Sequence, residues 1–234
     1  EELERELGIK NIIKLASNEN PFGLPPSAKK AIQAQLDNLH LYPDSNGFYF
    51  KQAVAEKFGL LPEQITLGNG SNDLIELIAH TFASEQDEVI YSQYGFIVYP
   101  LISQALNAKR VEIPAKNYGN DLAAFLNAIT PNTKLIYIAN PNNPTGQFLS
   151  NAELERIISK CEEMKVYAII DEAYADFIPR EESAVMLGPK YSHMISVRTF
   201  SKGFGLAGAR AGYIITNKEL VKYIKKVSNP YMMN

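Results

Sequence analysis

From about residue 62 onward, short runs of apolar and β-branched residues alternate with longer segments whose apolar positions recur every three or four residues. The runs "QITLG", "DEVIYS", "KRVEIPA", "KLIYIANP", "VYAIIDEAY", "HMISVRTF" and "AGYIITN" predict strands. Between them, "NDLIELIAHTF", "FIVYPLISQALN", "LAAFLNAI" and "NAELERIISKCEEM" predict helices. This alternation predicts an α/β domain built on a largely parallel sheet. "YAIID" is nearly continuous in apolar residues, the pattern of a strand covered by helices on both faces. Ligands of such sheets bind beyond the carboxyl ends of the strands, so the polar residues just after each strand carry the candidate chemistry.

Upstream, "KLASNENPFGLPP" is rich in turn residues, and "PPSAKKAIQAQLDNL" predicts a helix opened by proline. The first thirty or so residues read as an arm lying on a neighbouring surface. At the other end, "NKELVKYIKKVSNPYMMN" starts a helix from an asparagine cap, with no further strand after it.

At 234 residues the chain can bury a sizeable core, as one large domain or two smaller ones. A formal net charge of -3 gives no blanket attraction for nucleic acid or anionic lipid. The expected partners are small molecules or other protein chains, with no nucleic acid and no membrane. The single cysteine, Cys161, excludes an intramolecular disulfide, and three scattered histidines leave no zinc pattern. A cytoplasmic, reducing setting is the expectation. Cys161 shares helical register with Leu154, Ile157 and Ile158 and is expected in the core. No apolar run approaches the roughly 20 residues of a membrane helix, and "EELERELG" lacks the features of a signal peptide.

After "QITLG" come Asn69, Gly70, Ser71, Asn72 and Asp73, then a helix. Free amides at such a helix start, with the positive end of its dipole, make a phosphate site, although the same pattern also serves as a plain cap. Tyr94 follows the next strand, as a stacking platform or as packing. "NPNNPTG", residues 140–146, combines restrictive prolines with asparagine side chains, a rigid hydrogen-bonding loop. Asp171 ends the most apolar strand; Glu172 must face the other way, so only one of the two works in any one pocket. Tyr174, three residues beyond Asp171, can reach the same place.

"TFSKGFGLAGARAGY", residues 199–213, then sets Lys202 at a strand end, with Arg210 eight residues on. Its "GFGLAG" matches G-x-G-x-x-G but leaves no room for the helix a dinucleotide site needs before the next strand. "AIIDEA" looks like the Mg²⁺-binding strand of an ATPase, yet no phosphate loop with its lysine accompanies it. Lysine, buried acid, tyrosine, arginine and a glycine-led helix start point instead to covalent chemistry with a phosphorylated aldehyde, the requirements of pyridoxal phosphate.

With "KLASNENPFG", "LYPD", "GNGSND", "NPNNPTG", "DEAY" and the lysine stretch in this order, essentially the whole chain closely resembles the fold type I, class I/II aminotransferases. "NENPFG" and "YPD" resemble the histidinol-phosphate branch; aromatic and broad-specificity aminotransferases, a decarboxylase of the same fold and a non-catalytic sensor module stay open as alternatives. The resemblance implies an aspartate aminotransferase-like large domain, a mostly parallel seven-stranded sheet with helices on both faces, over residues 31–216. It implies an arm over 1–30, and over 217–234 the start of a helix leading to a small domain beyond this chain.

The implied cofactor is pyridoxal 5'-phosphate. Lys202 would bond its aldehyde and, once displaced by substrate, shuttle a proton between the substrate α-carbon and cofactor C4′. Asp171 would pair with the pyridinium nitrogen, Tyr174 and Asn143 would hydrogen-bond the ring's phenolic oxygen, and Tyr94 would stack on the ring. The amides of Ser71 and Asn72, with Thr199, Ser201 and Arg210, would hold the phosphate. Tyr42 would reach the cofactor phosphate of the other subunit in a homodimer. The implied reaction is transamination between glutamate and imidazole acetol phosphate, which becomes histidinol phosphate. Phe22 stands where the family frequently has tyrosine, so one hydroxyl that would touch substrate is missing.

Overall fold

The computed structural model describes residues 2–233. Seven strands, β1 (Ile65–Gly68), β2 (Glu88–Ser92), β3 (Lys109–Ile113), β4 (Thr133–Ala139), β5 (Tyr167–Asp171), β6 (Met194–Thr199) and β7 (Gly212–Ile215), form one sheet in the order β1-β7-β6-β5-β4-β2-β3. Only β7 runs against its neighbours; every other pair is parallel. The reversal has a consequence for the site. Gly212, which opens β7, pairs with Gly68 at the end of β1 and with Thr199 at the end of β6. The connection from β6 to β7, with Lys202 and Arg210, therefore lies along the same edge as the carboxyl ends of the other strands.

Eight helices accompany the sheet among the described residues: α1 (Glu2–Leu7), α2 (Pro26–Gln33), α3 (Phe48–Phe58), α4 (Ser71–Phe82), α5 (Val98–Ala105), α6 (Leu122–Ala128), α7 (Asn151–Met164) and α8 (Lys218–Val227). Side-chain alternation along the strands divides the core into layers. Leu135, Tyr137, Ile169, Ile195 and Ile214 pack on one face against Leu74 and Ile78 of α4, Tyr99 of α5 and Ile224 of α8. Ile136, Ile138, Ala168 and Ile170 pack on the other against Phe125 of α6 and Leu154, Ile157 and Cys161 of α7. A third cluster joins Val54 and Phe58 of α3 to Ile65, Leu67 and Ile215. Each fully buried side chain of this size contributes about 2 kcal/mol relative to exposure.

Helix α7 shows how local sequence fixes an element. The Ser150 hydroxyl accepts from the Glu153 amide while Glu153 Oε2 accepts from the Ser150 amide, a reciprocal cap. Leu154, Ile157, Ile158 and Cys161 then form its buried stripe. Burial pushes the Cys161 thiol up to about 12, so it behaves as a small apolar residue. The "GFGLAG" run holds only one short turn, Ala207–Ala209, before β7. No helix of the described residues is long and apolar enough to cross a membrane.

Candidate active site

A cavity of about 620 Å³ opens at the carboxyl edge of the sheet. It is lined by every residue to which the resemblance assigns a cofactor contact except Tyr94 and Tyr42: Ser71, Asn72, Asn143, Asp171, Tyr174, Thr199, Ser201, Lys202 and Arg210. Residues 17–19 of the N-terminal segment complete the wall.

One end of the cavity is built for an anion. Helix α4 starts after Gly70, whose φ of 87° is left-handed, and the amides of its first turn lack helical partners. Arg210 Nη2 donates to Asn69 O at 3.3 Å and Nη1 to Ser201 Oγ at 3.4 Å, laying the guanidinium across Gly70. A side chain at residue 70 would place its first carbon 2.4 Å from Arg210 Nη2 and push the guanidinium aside, and the positive φ disfavours any residue but glycine there. Thr199 Oγ1 donates to Ser201 Oγ at 2.9 Å, bringing both hydroxyls to the cavity. Amides, hydroxyls and a guanidinium converging on one point suit a phosphate.

The buried acid lies further in. Asp171 shares a face of β5 with Ile169. Its Oδ2 accepts from the Tyr99 hydroxyl at 2.8 Å and its Oδ1 from the Ala173 amide at 3.1 Å. Burial raises the Asp171 carboxyl above its usual range; the Tyr99 bond and the Lys202 charge pull the other way. Burial, reinforced by that carboxylate, holds the Tyr99 hydroxyl well above its ordinary value, so it stays a donor. Glu172 points to the opposite face. Its backbone amide still bonds Val197 O, keeping the alternation for one residue beyond the strand. There it accepts from Ser183 Oγ, the Ala184 amide, Ser196 Oγ and Arg198 Nη1.

The loop after β4 divides its three asparagines by task. Asn140 exchanges hydrogen bonds with the Leu149 backbone at 2.8 and 2.9 Å. Asn142 donates to Tyr94 O and Thr145 Oγ1 at 3.0 and 2.8 Å. Both brace the loop and leave Asn143 facing the cavity beside Tyr174. Lys202 Nζ donates to Ser17 O at 2.7 Å, 5.7 Å from the centre of the Tyr174 ring.

Tyr94 and Tyr42 lie outside this cavity, Tyr42 being the one expected at the other subunit's site. A tight turn closes after β2, with the Gly95 amide on Ser92 O at 2.8 Å. It carries Tyr94 outward onto the Tyr118 ring, 5.8 Å away, so the aromatic of this turn that lines the cavity is Phe96, two residues on. Tyr42 is exposed and stacks on Tyr231 at 4.5 Å. Sequence reasoning singled out the stretch that holds residues 17–20 but missed its contacts, along with Tyr99 and Arg198. Tyr99 had a signal: it falls on the buried face of its helix with Ile102 and Ser103, where a tyrosine hydroxyl needs a partner. The contacts of residues 17–20 had none, because their partners lie more than 150 residues away.

Fold and cavity define an α/β domain in which one lysine amine and a buried acid line the same cavity as a helix start suited to an anion. The chain belongs to the aminotransferase class I and II family, whose profile matches residues 10–234. It is 62% identical to histidinol-phosphate aminotransferase 2 of Pasteurella multocida, over all of this chain and 64% of that protein. It is 46% identical to histidinol-phosphate aminotransferase 1 of Idiomarina loihiensis, again over all of this chain and 64% of the relative. The crystal structure of histidinol-phosphate aminotransferase from Sinorhizobium meliloti in complex with pyridoxal-5'-phosphate superposes with a TM-score of 0.93 at 29% identity, covering 99% of this chain and 63% of that one. The chain thus spans a little under two thirds of the curated relatives it matches.

Proposed function

We propose that this chain is the cofactor-binding part of a pyridoxal 5'-phosphate-dependent aminotransferase acting between glutamate and imidazole acetol phosphate, with histidinol phosphate as the amino product. The reading is carried by the meeting of Lys202, Asp171 and the phosphate donors around Arg210 in one cavity. The residues present fit the cofactor: the missing side chain at Gly70 lets the Arg210 guanidinium lie against the start of α4, and a buried carboxyl faces a space large enough for a ring. The relatives' names support the substrate assignment.

Bound there, pyridoxal phosphate supplies an aldehyde to carry the amino group and a ring to accept electrons from the substrate α-carbon. Arg210, the hydroxyls of Thr199 and Ser201 and the amides of Ser71 and Asn72 would hold its phosphate. Asp171 would keep a proton on the ring nitrogen: a cation placed against it opposes the burial that raises its pKa and favours its anionic form. Asn143 and Tyr174, which line the same cavity, would donate to the ring oxygen. Lys202 is the amine that would hold the aldehyde and, once released from it, would take the proton from the substrate α-carbon.

Residues 31–216 form the cofactor domain under this reading. The arm over 1–30 lies against it, and α8 leads to a small domain. The working unit is a cytoplasmic homodimer in which Tyr42 reaches the other subunit's phosphate. In support, Phe22, Leu39, Tyr42 and Tyr49 are each at least 75% exposed, an apolar surface that asks to be covered.

Adding pyridoxal phosphate is expected to produce a visible absorption band that Lys202→Ala lacks and that glutamate shifts. In protein extended to the relatives' length, imidazole acetol phosphate is expected to turn over faster than phenylpyruvate. A wild-type chain without the band refutes the aminotransferase reading; preference for phenylpyruvate moves it to the aromatic branch.

A further inference from the structure

Residues 17–20 meet Lys202 at both ends of its side chain. At the backbone end, Asn20 Nδ2 donates to the carbonyls of Lys202 and Gly203, each at 3.1 Å. Asn20 Oδ1 accepts from the Phe22 amide at 2.9 Å, so all three bonds agree on the orientation of the carboxamide. At the ammonium end, Lys202 Nζ donates to Ser17 O at 2.7 Å and Asn18 O at 3.4 Å. Ser17 and Asn18 have φ of 71° and 49°, a left-handed backbone that non-glycine residues adopt where their surroundings hold them. Asn18 Nδ2 also donates to the Tyr174 hydroxyl at 2.8 Å. The two stretches approach so closely that a side-chain carbon at Gly205 would lie 2.3 Å from Gly23 O. Asn20 is not among the residues lining the cavity, so its influence on a ligand passes through Lys202.

We propose that Asn20 is a positioning residue for Lys202: its carboxamide fixes the backbone from which the side chain swings, so that the amine parked on the Ser17 carbonyl is delivered to the aldehyde of a bound ligand. The inference rests on the aldehyde-cofactor reading above. In the step concerned, the Lys202 ammonium gives one proton to solvent and its nitrogen adds to the aldehyde carbon. The two remaining N–H hydrogens then leave with the aldehyde oxygen as water, and no outside oxidant or reductant takes part.

The test compares wild type, Asn20→Ala and Asn20→Asp in rapid mixing with pyridoxal phosphate, following the visible band and the borohydride-trapped mass on the Lys202 peptide. Pyridoxine 5'-phosphate, which has the ring and phosphate but an alcohol for the aldehyde, is bound in parallel. Losing two hydrogen bonds is expected to slow band formation about tenfold in Asn20→Ala, with pyridoxine phosphate affinity held within about twofold of wild type. Asn20→Asp keeps the shape but sets an acceptor against two carbonyls, and is expected to be at least as slow. Band formation at the wild-type rate in either variant overturns the inference, as does an equal loss of both ligands, which would mark a merely structural residue. A wild type that forms no band refutes the aminotransferase reading and this inference with it, whereas a normal wild-type band beside an equally fast Asn20→Ala refutes the inference alone.

Discussion

Asp171 and Glu172 are consecutive, and they are exposed to only 4% and 2%. Burial therefore does not distinguish them; the number of donors does. Glu172 collects four, including the Arg198 guanidinium, which is itself tied to Asp176 at 3.1 Å. Asp171 has two, both neutral, and opens onto a cavity. The lesson is that a buried carboxylate whose demands are met inside the fold holds the fold together, while one left short of a cation waits for a ligand to supply it.

Breaking Glu172 should have the largest effect. Glu172→Gln leaves Arg198 buried without its carboxylate there and faces an amide toward donors, at an expected cost of about 3–5 kcal/mol in urea unfolding. If it costs no more than the change at its neighbour, the contrast is wrong.

Asp171→Asn should behave oppositely in the ligand-free protein. The wild-type carboxyl titrates above its ordinary 3.8 because burial disfavours the anion. The folded state then binds that proton more tightly than the unfolded one, and wild type loses stability as pH rises through the folded value. At pH 7, Asp171→Asn is expected to equal wild type or exceed it by about 1 kcal/mol, the difference closing as pH falls toward about 4. A clear loss of stability at pH 7 would show that Asp171, too, is structural.

Lys51 tests the same rule with the opposite charge and an effect of similar size. It is largely buried beside a cavity of about 190 Å³ that Thr66 and Lys225 also line. Burial first, then Lys225, lowers its amine from 10.5 to about 8. Here the unfolded state binds the proton more tightly, so wild type gains stability as pH rises between those values. Lys51→Met is expected to be more stable than wild type by about 1 kcal/mol at pH 7. In thermal melts across pH that margin should shrink above about 8; a margin that grows would reverse the sign of the argument.

Much of this contrast was legible in the sequence. The period-two rule alone sets Asp171 and Glu172 on opposite faces, and the run "YAIID" declares a strand buried on both sides. The strands and helices of the α/β stretch likewise announce themselves by period and caps. The placement of Tyr94 was not legible, because a turn of a few residues decides which aromatic faces inward. Neither was Arg198, whose place in a strand next to Glu172 depends on which strands pair. The reversal of β7 was equally hidden: "AGYIITN" reads as a strand in either direction.

Local patterning by itself determined the segments, the layers and the gathering of polar residues at strand ends, because periodicity acts through backbone geometry that each residue shares with its immediate neighbours. Only the tertiary structure decided who meets whom there: Tyr99 with Asp171 across 72 residues, and Ser17 with Lys202 across 185. Such contacts depend on how loops close and how layers stack, and so on the free energy of the whole packed chain rather than of any one stretch.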